Sequence, residues 1–215
     1  MLWLWFLLII GGYLLGGVMF CRALPLLFKK KDICELFADK NPGAFNVFSS
    51  CGVGMGMVCL LCDMLKGFIP VFLGCMFLNT ENLLFFAVIL APVLGHAMGV
   101  FNSFHGGKCI STSFGVVLGL LPVTWVGLIL AGAYIFFSVF VKLNPHRRRS
   151  LAAFAIFGVT ACIVLIVAKQ YSIALGCLAL STVAVIKHSS LFATEEEVLT
   201  EAQLNEEEDE LFTEN

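Results

Sequence analysis

Apolar runs of membrane-spanning length alternate with short polar segments along almost the whole chain. They cover residues 2–20, 54–78, 83–101, 113–141, 151–168 and 171–186. A hydrocarbon core about 30 Å thick takes roughly 20 apolar residues of helix, and an open strand cannot cross it with its backbone satisfied. The pattern therefore predicts an all-α, polytopic membrane fold. The first run could be read as a secretion signal, but nothing basic precedes it and no small-residue cleavage site stands before Cys21. It is expected to stay in the protein.

Charge fixes the orientation. Lys29-Lys30-Lys31 follows the first run and Arg147-Arg148-Arg149 precedes the run at 151. Basic loops stay on the cytoplasmic side. With both loops inside, the runs at 54–78 and 83–101 form one outward and one inward crossing. The 113–141 run must also cross twice, as two short tilted helices turning near Pro122. The expectation is about seven transmembrane helices, N-terminus outside and C-terminus inside. The polar loop 102–112 then lies on the same side as residues 22–46.

Composition leaves no room for a large soluble domain, because 60% of the residues are hydrophobic and 13% charged, against about 45–50% and about 25% in soluble chains. The formal charge of −2 hides a division. Residues 1–187 hold 13 basic and 5 acidic groups, a net +8, and ten acidic residues fall between Glu195 and Glu214. Residues 1–187 are thus read as one membrane domain, and 188–215 as an acidic tail too polar to fold alone. A basic membrane body attracts anionic lipids and anionic substrates. Basic residues dispersed among hydrophobic spans argue against nucleic acid. Cys59-Leu60-Leu61-Cys62 has CxxC spacing, but no second ligand pair accompanies it, so no metal or cofactor is expected. The nine cysteines read as small buried hydrophobes.

Two polar loops stand out from this background. In Asp39-Lys40-Asn41-Pro42-Gly43-Ala44-Phe45-Asn46 the Pro-Gly pair forces a turn, which can present backbone N–H groups and amide donors to an anion. It can equally be an ordinary inter-helix turn. The second loop runs from Gly95-His96 to Phe104-His105-Gly106-Gly107-Lys108. Paired glycines admit a ligand close to the backbone, and the lysine supplies a compact positive charge. The spacing is not that of a P-loop. Between the loops, Asp63 and Lys66 share one helical face inside an apolar run. They are either a structural ion pair or support for an anionic substrate. His146 with the three arginines reads as a membrane-surface anchor, and His188 as an interfacial residue. No serine, histidine and acid suggest a triad, so an enzyme built this way would use substrates that are already activated.

These strings resemble the PlsY-type acyl-phosphate glycerol-3-phosphate acyltransferases. That family carries GSGNPGATN after its first span, then DxxKG followed by a proline, then GHxFPVFxxFxGGKG-AT. Here the counterparts are Asn41 to Asn46, then Asp63-Met64-Leu65-Lys66-Gly67 with Pro70, then Gly95-His96 through Gly106-Gly107-Lys108 and Thr112. The order and spacing agree over residues 16–115. There are departures. Ala38-Asp39-Lys40 stands for GSG, Phe45 for the threonine, Ser49 for an arginine, Gly99 for a proline and Cys109 for a glycine. Of the C-terminal motif only His188 and Thr194-Glu195 remain.

The resemblance implies transfer of a fatty acyl group from acyl phosphate to the 1-hydroxyl of sn-glycerol 3-phosphate, giving lysophosphatidic acid in a bacterial plasma membrane. Because the mixed anhydride is activated, positioning and charge stabilisation would supply most of the catalysis. By the same resemblance His96, Lys108 and Asn46 are expected to be catalytic. Lys40, Asn41, Gly43, Lys66, Gly106 and Gly107 are expected to bind substrate, Lys40 replacing a lost positive charge. Membrane lipids and the two substrates are the expected partners, and the working expectation is a monomer. The alternative is a non-catalytic or transporter-like protein that keeps the fold. The transporter version calls for internal inverted repeats, and none is evident.

Overall fold

The computed structural model describes residues 2–37 and 39–189. The acidic stretch from residue 190 onward, for which a disordered tail is expected, lies outside the described residues. All regular structure among the described residues is helical. α1 (Leu2–Gly17) and α2 (Phe20–Lys29) meet at a 48° bend. The single turn α3 (Ile33–Leu36) and the short α4 (Ala44–Cys51) lead into the long α5 (Val53–Phe77). Then come α6 (Phe85–Met98), α7 (Ile110–Gly119) and α8 (Gly127–Ile135), the last prolonged by a π-helical turn at Phe136–Phe140. α9 (His146–Val167) and α10 (Tyr171–His188) complete the bundle.

Three helices, α5, α9 and α10, are each long and apolar enough to cross a membrane, and the bent pair α1–α2 makes a fourth by length and composition. The others are shorter. α6 has 14 residues, about 21 Å at 1.5 Å per residue, and α7 has 10, about 15 Å. The first run, expected to span 2–20, ends as α1 at Gly17, and the chain bends there into α2. The 113–141 run does form two short helices with a turn containing Pro122 between them, although α7 starts earlier, at Ile110.

Lipid as the solvent shows in what the surface exposes. Val159, Ile163 and Val167 of α9 are 60%, 59% and 78% exposed, while Phe154, Phe157 and Leu165 on its other face are buried. So wide an apolar surface would aggregate in water. Without a hydrophobic force between helices in lipid, close backbone approach has to hold the bundle. Small residues supply it. α1 meets α6 where a Cβ on Gly16 would run into the Pro92 carbonyl and one on Gly95 into that of Tyr13. α5 meets α7 in the same way, with Gly67 against the Thr112 carbonyl and Gly115 against that of Met64.

The break after α1 frees backbone acceptors inside the bundle, and the Asp63–Lys66 pair answers it. Lys66 Nζ donates to the Val18 carbonyl at 2.6 Å and lies 2.8 Å from Asp63 Oδ1. Cys21, one residue into α2, donates its thiol to Asp63 Oδ2 at 3.0 Å. Both charged side chains are essentially inaccessible. The pair therefore latches the α1–α2 bend to α5.

The chain has two polar ends. At one end the 78–84 turn meets α10, where the Ser172 hydroxyl donates to the Thr80 carbonyl, and Gln170 Nε2 donates to the Val123 carbonyl at 3.2 Å. At the other end gather the segments 30–37 and 39–43, the loop 99–109, the start of α9 and the end of α10.

Candidate active site

The second of these ends holds the motif residues. Asn46 lies in the first turn of α4, where its side chain faces back over the preceding loop. Its Nδ2 donates to Asp39 Oδ1 at 2.9 Å and to the Asn41 carbonyl at 3.1 Å. The Asn41 N–H also donates to Asp39 Oδ1, at 3.2 Å. The loop is thus wound around the Asp39 carboxylate, and the buried Asn41 Oδ1 has no hydrogen-bond partner.

The glycine-rich loop is held from below by α6. Gly99 ends that helix in the left-handed region, with φ 60°. The Gly107 N–H donates to the His96 carbonyl at 3.0 Å. A Cβ on Gly106 would strike the carbonyls of His96 and Ala97, and one on Gly107 the His96 imidazole. Both glycines are therefore required by close approach, not by a turn. Asn102 Nδ2 ties the loop to the His105 carbonyl at 2.6 Å. Cys109, where the resembled family has glycine, has φ 66°, a conformation that glycine adopts without strain.

One ion pair joins the two loops. Lys108 Nζ lies 3.1 Å from Asp39 Oδ2, and both side chains are partly accessible. A second joint lies beside it. Arg22 forks Asp32, Nε to Oδ1 at 2.9 Å and a terminal nitrogen to Oδ2 at 2.6 Å, and its other terminal nitrogen donates to Asn102 Oδ1. This guanidinium holds the Asp32 carboxyl below its ordinary range, assisted by the Cys34 N–H. Asp32 also caps α3 by accepting from that N–H at 3.0 Å.

The C-terminal helices close the site. Arg147 Nε donates to the His188 carbonyl at 2.9 Å, and the Phe45 ring lies 6.4 Å from that of His146. His188 Nδ1 pairs with the Ala184 carbonyl at 2.8 Å, leaving its buried Nε2 without a partner. Lys108 is near enough to act electrostatically on both His146 and His188. Among the described residues of this end, Arg22, Lys29, Lys30, Lys31, Lys40, Lys108, the three arginines and Lys187 outnumber Asp32, Glu35 and Asp39. Such an arrangement can bind an anion with amide donors, an ammonium and loop backbone N–H groups.

The structure brings together Asn41, Gly43, Asn46, Gly106, Gly107 and Lys108, with the exposed Lys40 at the rim. Two expected site residues are buried below these loops, His96 with its imidazole against Gly107 and Lys66 deeper in α5. His96 is buried beneath the glycine loop, placed to support it. Lys66 is spent on Asp63 and Val18 and is 1% exposed, because a broken helix inside lipid needs its carbonyl satisfied. Sequence reasoning missed Asp39, Arg22 and Asn102. Asp39 looked only like a lost motif position, since nothing in the sequence couples it to Lys108 across 69 residues.

Comparison with known proteins agrees with this geometry. The family described as Glycerol-3-phosphate acyltransferase matches residues 6–194. The chain is 40% identical over 147 residues to the glycerol-3-phosphate acyltransferase of Pseudoalteromonas translucida, covering 68% of each chain. It is 35% identical over 132 residues to that of Hydrogenobaculum, covering 61% of this chain and 66% of the relative. Its fold is similar to the crystal structure of PlsY (YgiH), an integral membrane glycerol 3-phosphate acyltransferase, in its glycerol 3-phosphate form. The TM-score is 0.71 at 28% identity, over 86% of this chain and 88% of that one. The lysophosphatidic acid form matches with the same TM-score at 26% identity, over 91% and 92%. The aligned motifs, the bundle and the family match lead to one conclusion: this chain belongs to the glycerol-3-phosphate acyltransferase family.

Proposed function

We propose that the protein moves a fatty acyl group from acyl phosphate to the 1-hydroxyl of sn-glycerol 3-phosphate, releasing lysophosphatidic acid and phosphate. The observation that carries this reading is the joint between the two loops, where Asn46 and Lys108 converge on one carboxylate. Lys108 and Asn46 act at the reacting phosphoryl and acyl groups. Asn41, Gly43, Gly106 and Gly107 line the phosphate position, and Lys40 adds charge at its edge. His96 positions the glycine loop, and Lys66 has a structural role. Preorganised donors of this kind favour an activated donor, whose leaving phosphate gathers negative charge as the acyl bond breaks.

Seven crossings, N-outside and C-inside, suit this site. Supporting them, α1, α5, α6, α7, α8, α9 and α10 alternate in direction between the two polar ends, and the basic end belongs on the cytoplasmic side. For helices as short as α6, α7 and α8 to cross, local thinning of the bilayer has to absorb the mismatch. A bacterial plasma membrane and a monomeric state complete the reading.

The test is phosphate release from acyl phosphate by purified protein. Release should require glycerol 3-phosphate and should fall by about 100-fold or more in Lys108→Ala and Asn46→Ala, the scale of losing one oriented donor. Intact folded protein with no release at saturating substrates would overturn the proposal.

A further inference from the structure

Asp39 is a carboxylate placed among the donors that a phosphate would use. Oδ1 takes one hydrogen of the Asn46 amide and the Asn41 N–H, and Oδ2 takes the Lys108 ammonium. The second Asn46 amide hydrogen is committed to the Asn41 carbonyl, so that side chain has no donor left over. A phosphate oxygen therefore reaches Asn46 only by replacing Asp39 Oδ1. Near Lys108 it meets a negative charge 3.1 Å from the ammonium. The GSG string of the resembled family has an uncharged serine here, so the carboxylate is a property of this chain.

We propose that Asp39 is a built-in competitor for phosphate, an affinity-setting residue whose carboxylate occupies the anion-binding donors of Asn46 and Lys108 and must swing away before a phosphorylated substrate seats. The inference rests on the acyl-transfer site proposed above. Its side chain is 21% accessible, which leaves room for that swing toward solvent. The consequence is selective. Phosphate binding is weakened, and release of product phosphate is hastened, because the carboxylate returns to the same donors.

Purified full-length protein, with inorganic phosphate as the probe, separates the possibilities. Protection against thermal unfolding gives the phosphate concentration for half-saturation. Asp39→Ser and Asp39→Asn should each lower it by roughly tenfold, since a like charge beside a bound anion opposes binding by more than a kilocalorie or so. Asp39→Glu, which keeps the charge, should stay near the parent. In turnover assays the first two variants should lower KM for glycerol 3-phosphate in parallel, and Lys108→Ala should cancel the gain in phosphate affinity. If both neutral variants fold and bind phosphate no more tightly than the parent, the inference is overturned. Failure of acyl transfer alone would refute the proposed activity but not the competitor role, because the phosphate measurement needs no turnover.

Discussion

The two polar ends of the bundle are built from the same kind of short connection and differ in almost everything else. At the plain end, the turns meet through single hydrogen bonds, Ser172 to Thr80 and Gln170 to Val123. Its nearby charges are Glu81 and Lys169. At the basic end, two ion pairs and several side-chain amide hydrogen bonds knit residues as distant as Arg22 and Asn102, and aromatic and backbone contacts bring in Phe45, Arg147 and His188. The lesson is that connection alone needs little polarity. Where polarity is concentrated and mutually balanced, it ties segments far apart in sequence into one joint.

Three changes sharpen that contrast. The largest effect should come from the latch below the basic end. Lys66→Ala leaves the Asp63 carboxylate buried without its partner, which costs about 3–5 kcal/mol in comparable pairs. Unfolding in detergent should show a loss of that size, whereas Glu81→Gln at the plain end should be neutral. An unchanged unfolding midpoint for Lys66→Ala would mean that the bend does not depend on the pair.

Next is Gly107→Ala. The added methyl meets the His96 ring, so the loop must rise and carry Lys108 with it. A displacement of about 1 Å in a positioned group can cost about 100-fold in rate. The expected outcome is a fall in kcat of that order with little change in the unfolding midpoint. A fall in stability with normal kcat would show the glycine to be a packing residue only.

The smallest effect concerns pH. Arg22 lowers the Asp32 carboxyl pKa in the folded protein, while in the unfolded chain it titrates at its ordinary 3.8. The pair's stabilisation is therefore full above that ordinary value and disappears as pH falls through the lowered folded one. Between about pH 5 and pH 3 the parent should lose slightly more stability than Asp32→Asn, which lacks that titration. Equal acid sensitivity of the two proteins would remove the pair from the account of what holds the basic end.

Much of this was legible along the chain. Run length and hydropathy gave the long apolar helices, because a backbone in hydrocarbon has few ways to satisfy itself, but not α2, α3 and α4, which lie in the stretch read as a polar loop. Two turns were also readable, at Pro42-Gly43 and at Pro122, since those residues restrict the backbone locally. The site was legible in part. Asn46 and Lys108 stood out as polar residues beside glycines, but the same criterion selected Lys66 and His96, whose side chains the fold buries.

By itself, then, the sequence determined a lipid-solvated helical bundle, which end of it is basic, and which loops carry amide and ammonium donors. These follow from composition and from interactions within a few residues. Only the tertiary structure decided that Asp39 answers both Asn46 and Lys108, that Lys66 satisfies the broken first helix, and that His96 supports the glycine loop. Each of these is a pairing between groups far apart in sequence. Which acceptor a buried donor finds depends on how glycine contacts bring the helices together, and no local pattern encodes that distance.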